Sequence, residues 1–173
     1  MGNFEIFLIG AGIFAVLVAL ASVLVKAEYF NSIKKIAKSL QQLKPESEFK
    51  VFGRDEIYHI EICDSQLKYL LKIVKSKAEY EFIITNSEKW IVNQSPQQWT
   101  RKTKPIFIDN SKEFIDLKDE TSNLVKIVVI YPSCKRIIRY LNESDTVVVK
   151  EEDTVNGIHF VRYENVEKFI KNQ

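Results

Sequence analysis

Residues 58–75 read YHIEICDSQLKYLLKIVK. Tyr58, Ile60 and Ile62 fall on one face of an extended segment. Asp64-Ser65-Gln66 supplies a turn, and Leu67, Tyr69, Leu71 and Ile73 share a face beyond it. Period-two alternation on both sides of a polar turn predicts an antiparallel hairpin. On its N-terminal side Glu48 to Phe52 alternates before a turn at Gly53-Arg54-Asp55. On its C-terminal side Tyr80 to Thr85 and Lys89 to Val92 read as strands separated by Asn86-Ser87-Glu88, and Ile106 to Ile108 as a short one. Leu124 to Ile130 (LVKIVVI) is short and almost wholly apolar, the mark of a strand covered on both faces.

Helices are predicted between and after these strands. One begins near Asn110 with Phe114, Ile115 and Leu117 turned inward. A second runs from a Ser133 N-cap to Leu141 over Ile137, Ile138 and Leu141, and a third runs from Glu164 to Ile170 over Val166, Phe169 and Ile170. Strands are expected at Thr146 to Lys150 and Ile158 to Tyr163, the latter after an Asn156-Gly157 turn. The expected class is α/β (α+β): a mixed sheet flanked by helices.

Ahead of this domain, Ile6 to Val25 (IFLIGAGIFAVLVALASVLV) has Ser22 as its one clearly polar side chain. At about 1.5 Å per residue it reaches roughly 30 Å, the thickness of a bilayer's hydrocarbon core. It reads as one N-terminal transmembrane helix within residues 1–26. The competing reading, a signal peptide cleaved near Ala19-Leu20-Ala21, lacks a basic segment ahead of the apolar run. Ile6 stands where a myristoylation signal wants Ser or Thr. All 25 Lys and Arg lie after Val25, which by the positive-inside rule puts residues 27–173 in the cytoplasm at the cell membrane. Two cysteines with no CxxC spacing, Cys63 and Cys134, agree with a reducing compartment. Ala11, Ala15 and Ala19 form a small-residue stripe through which spans could self-associate. The helix is expected to continue from Ala27 to Leu43, with Tyr29, Ile33, Ile36, Leu40 and Leu43 along one face and Lys34, Lys35 and Lys38 on the other, until Pro45 ends it.

A formal charge of +2 falls short of a strong nucleic-acid binder's dense basic face, and five glycines form neither a GxxxxGK[ST] nor a GxGxxG phosphate loop. No elbow motif arranges a Ser, His and Asp for nucleophilic catalysis.

The order of pieces resembles the nuclease-related domain (NERD) family, a branch of the PD-(D/E)xK, restriction-endonuclease-like fold. The match runs through the hairpin at Tyr58 to Lys75, the pair Trp99-Thr100, the stretch Phe107-Ile108-Asp109-Asn110 and the valine-rich Lys126 to Ile130. It covers roughly Ala27 to Ile170. The resemblance implies a nuclease-like sheet and a site in which two carboxylates hold Mg²⁺ while a lysine assists. Aligned without gaps, however, His59 stands at the family's Asp, Lys72 at its Glu and Val74 at its Lys. A one-residue shift gives Ile60, Ile73 and Lys75, and neither register supplies the triad.

Relocated candidates are Glu61, Asp64 and Lys75, with His59 sharing a face with Glu61. Trp99, Arg101, Lys102 and Lys104 mix aromatic and basic groups as a single-strand-binding loop does. Trp90 and Trp99 packing on the sheet, with solvated basic neighbours, is the simpler reading, and His159 is expected to be structural. Three functions follow: a catalytically inactive, membrane-anchored NERD-like domain binding DNA or a protein partner, a membrane-tethered Mg²⁺-dependent endonuclease with relocated acids, or a structural subunit of a membrane complex.

Overall fold

The computed structural model describes residues 3–85, 89–94, 104–118, 123–142 and 145–173, with the backbone alone for residues 3–10 and Val25. Among them, α1 (Asn3–Leu43) runs 41 residues without a break. From Ala11 to Leu24 its side chains are exposed, and this is one helix long and apolar enough to cross a membrane, with a mean hydropathy of 2.0. From Ser32 onward the same helix buries Ile33, Ile36, Ala37 and Leu40, the three-four spacing read from the sequence. It stops before Pro45, whose ring and missing N–H cannot continue it.

The rest forms two sheets. The larger has the order β1-β2-β3-β7-β11-β10, built from β1 (Glu48–Val51), β2 (Ile60–Cys63), β3 (Lys68–Lys75), β7 (Leu124–Tyr131), β11 (Ile158–Arg162) and β10 (Thr154–Val155). The expected hairpin is β2–β3, antiparallel with Ile60 opposite Leu71. β7 runs parallel to both β3 and β11. Val155 and Ile158 pair across Asn156-Gly157, both at positive φ, as a two-residue primed turn requires. The second sheet has the order β6-β5-β4-β8-β9, from β6 (Ile106–Phe107), β5 (Trp90–Gln94), β4 (Tyr80–Ile84), β8 (Arg136–Tyr140) and β9 (Thr146–Val148).

Strand alternation sorts the core into two layers. Ile60, Ile62, Tyr69, Leu71, Ile73, Ile127 and Val129 pack under α1 and α3 (Val166–Lys171). Leu70, Val74, Val128 and Ile130 face the second sheet, where Trp90 meets Phe82, Phe114 and Phe160 with ring centroids 5.5–6.4 Å apart. The layers are therefore helix, sheet, sheet.

Two expectations are corrected here. Helices cover one face of the main sheet, while the other face is covered mainly by a second mixed sheet together with the short helix α2 (Ser111–Asp116). The helix predicted from Ser133 to Leu141 is instead strand β8, parallel to β4 and antiparallel to β9. Ile137 and Ile138 suit a helix face as written, but both are buried in the strand, and Arg136 reaches the buried Glu81 across the ladder at 2.6 Å. Pairing with two neighbours outweighs a local helical pattern that has only one turn of apolar residues behind it.

Candidate functional site

Where the β1–β2 loop passes the end of β3, a cleft of about 540 Å³ opens. Its floor is the hairpin. The His59 amide donates to the Leu71 carbonyl at 2.8 Å, one residue ahead of the Ile60–Leu71 pair that ends the ladder, and Lys72 follows Leu71 on β3. Val74 follows on the same strand, so the three positions aligned with the family's triad all line one cleft. The remaining walls come from Tyr29 on α1, from Arg54, Asp55 and Glu56, and from Ile106 to Asn110 leading out of β6. Asn110, in the left-handed conformation that Asn tolerates, donates through Nδ2 to the Asp55 carbonyl at 3.4 Å and ties the last wall to the loop. Lys126 holds α2 beside it, donating to the Ile115 and Leu117 carbonyls at 2.6 and 3.2 Å.

His59 is 2 % exposed, and both ring nitrogens are occupied. Nδ1 accepts the Ile73 amide at 2.8 Å, so the proton sits on Nε2, which donates to the Arg54 carbonyl at 3.2 Å. Burial pushes the ring pKa down to about 4, against the pull of the Arg54 carbonyl and with a further push from Lys72. This is a neutral imidazole used as a strut, with no lone pair left for a metal. Lys72 is 4 % exposed and donates to the Ile57 carbonyl at 2.8 Å. Burial lowers its pKa to about 8, while Asp109 and Glu113 oppose the fall. An ammonium thus stands at the position that the resemblance aligns with the family's Glu, and the residues at the three aligned positions do not fit Mg²⁺.

No family model, curated protein or solved structure matches the chain.

The other anticipated residues scatter. Glu61 is buried away from the cleft lining: it accepts the Tyr58 hydroxyl at 3.0 Å and lies 3.6 Å from both Lys50 and Lys68. Burial raises its pKa, but Tyr58 and the two lysines outweigh it and leave it lowered. Asp64 serves the hairpin turn. It accepts the Leu67 and Gln66 amides and the Lys44 ammonium, whose bond at 2.6 Å is the main reason its carboxyl falls to about 2. Lys75 does line the cleft, 3.1 Å from Glu28 of α1. Glu61 and Asp64 are thus not brought to Lys75 and His59. Among the described residues, no three His, Cys, Asp or Glu side chains converge as metal ligands. Trp99, Thr100, Arg101 and Lys102 lie outside the described residues, and Lys104 is exposed. Trp90 is core, and His159 on β11 packs against Phe169 at 4.8 Å.

Two cleft residues escaped the sequence reading. The Tyr29 hydroxyl donates to the Ile73 carbonyl at 2.6 Å, its ring meets His59 edge-on at 5.6 Å, and burial raises its pKa. The Arg54 guanidinium lies 5.5 Å from that ring and the Lys75 ammonium 5.8 Å. Tyr29 does stand on the apolar face of the helical pattern, but only the docking of α1 discloses which strand end it meets.

Proposed function

We propose that this is a single-pass membrane protein whose domain 27–173, on the cytoplasmic side, is a nuclease-like module that binds DNA near the membrane without cutting it. Lys72 carries the reading: a buried ammonium, lining the same cleft as a histidine with no free nitrogen, falls at the position that the resemblance aligns with the family's metal-binding Glu. An order of helix, antiparallel β1–β2–β3 and then parallel β7 is consistent with a nuclease-like sheet. The basic and aromatic stretch from Trp99 to Lys104 leads by sequence directly into the cleft wall at Ile106, which favours nucleic acid as the ligand. The lysines that follow Val25 favour the cytoplasmic orientation.

The test is DNA binding by the full chain in nanodiscs over a range of salt, with and without Mg²⁺. Phosphate contacts make log affinity fall linearly with log salt. Binding with that slope and no cleavage is the expected result. Mg²⁺-dependent cleavage that disappears in Glu61→Ala or Lys75→Ala would establish the tethered endonuclease instead.

A protein partner is the second reading, favoured by β9. It is the last strand of its sheet, and Val147, Val148 and nearby Leu141 are 47–56 % exposed. An edge of that kind accepts an added strand. Loss of a partner's cross-link on changing Val148 to Lys, with DNA binding intact, would separate the two.

A further inference from the structure

The cleft lies at the end of the domain nearest the span. The apolar run of α1 ends at Val25, and Glu28, paired with Lys75, and Tyr29, which lines the cleft, follow within four residues. Four residues of helix rise only about 6 Å. An opening at that height meets the headgroup layer of any bilayer that α1 crosses. Its rim suits such a position: Ile106 and Phe107 are 54 and 58 % exposed, two large apolar side chains beside charged ones.

The cleft's charges are of both signs. Arg54, Lys72 and Lys75 line it together with Asp55, Glu56 and Asp109. Lys72 is turned inward to a carbonyl, and Lys75 shares Glu28. Arg54 is exposed and has no ion pair among the described residues, its guanidinium resting over Tyr29. A purely anionic ligand would meet the three carboxylates unfavourably, and a ligand with an ammonium alone would meet the cations.

The geometry points to a phospholipid site: the cleft takes a phosphoethanolamine headgroup from the adjoining leaflet, its phosphate on Arg54 and Lys75, its ammonium on the Asp55, Glu56 and Asp109 side, with Ile106 and Phe107 dipping among the glycerol and acyl groups. The volume is within the usual range for small-ligand sites. This inference rests on the membrane span of the proposed function and leaves DNA to the stretch ahead of the cleft.

It is tested with the full chain reconstituted in phosphatidylcholine alone or mixed with phosphatidylethanolamine or phosphatidylglycerol, then extracted and weighed by native mass spectrometry for retained lipid. Phosphatidylethanolamine should be retained roughly tenfold over either competitor, a preference equal to about 1.4 kcal/mol. Arg54→Ala, at an exposed position, and Lys75→Ala should each lower retention of all three lipids, which share the phosphate, and Asp109→Asn should abolish the preference, while the circular dichroism stays unchanged. Equal retention of all three lipids, or preference for phosphatidylglycerol, overturns the assignment. A chain that fails to enter the bilayer overturns the span and this inference together, which tells that failure from the loss of headgroup choice in an inserted chain.

Discussion

His59 shows what a single buried ring contributes when it is neutral and fully bonded. In the unfolded chain it takes a proton near pH 6.5, and in the folded chain only near pH 4. Between those values the unfolded state holds more protons. The stability is therefore complete above pH 6.5 and drains away as pH falls toward 4, by about 3 kcal/mol. Urea midpoints across that window should show the decline, and His59→Gln should flatten it while lowering stability at pH 7, because the Ile73 amide and Arg54 carbonyl lose their shared partner. Lys72 makes the complementary prediction. Lys72→Glu exchanges an ammonium for a carboxylate beside Asp109 and Glu113, and should cost roughly 3 kcal/mol in chelator. Mg²⁺ should restore part of that loss by binding the folded state alone. If Mg²⁺ leaves the melting temperature of Lys72→Glu unmoved, the Lys72 position is not one from which a carboxylate grips a metal.

At the scale of elements, α1 belongs to two environments at once. Its second half is the cover of the main sheet, with Ile33 and Ile36 fully buried and Lys44 tying its end to Asp64. Ile36→Ala should destabilise the domain by about 2–5 kcal/mol, read by chemical denaturation in detergent, whereas Leu17→Ala, on the exposed span, should leave that transition in place. Much of this was legible in advance. The hairpin, the doubly buried β7, the run of α1 to Leu43 and the Asn156-Gly157 turn follow from periodicity and turn chemistry, because in each the local preference and the tertiary role agree. β8 was misread because Ile137, Ile138 and Leu141 satisfy a helix as well as a strand, and the deciding partner, β4, lies some fifty residues earlier. The second sheet was hidden for the same reason: strands were visible, but not which of them pair. In the cleft, the positions of His59, Lys72 and Val74 could be read from the hairpin. Tyr29 and Arg54 could not, since each reaches the cleft from an element whose own pattern says only helix or turn.

For the whole molecule, the arrangement is a domain fixed to its long apolar helix segment with no linker between them. The proposed cytoplasmic placement predicts that protease added to intact cells leaves residues 27–173 untouched and degrades them in inverted vesicles, and the opposite pattern would reverse the orientation. Because α1 is unbroken from Asn3 to Leu43, on the proposed span the domain's height above the bilayer is a matter of counting residues. The stalk works as a ruler: each added residue lifts the domain by about 1.5 Å and swings it by about 100°. One extra turn of alanines after Lys26 would raise the cleft roughly 5.4 Å, and on the proposed lipid site would take Phe107 out of reach of the acyl chains without touching a single contact inside the fold. The same continuity means that, in the proposed membrane setting, a tilt of the span is handed on to the domain, so that a change in bilayer thickness becomes a change in how the cleft addresses the surface beneath it.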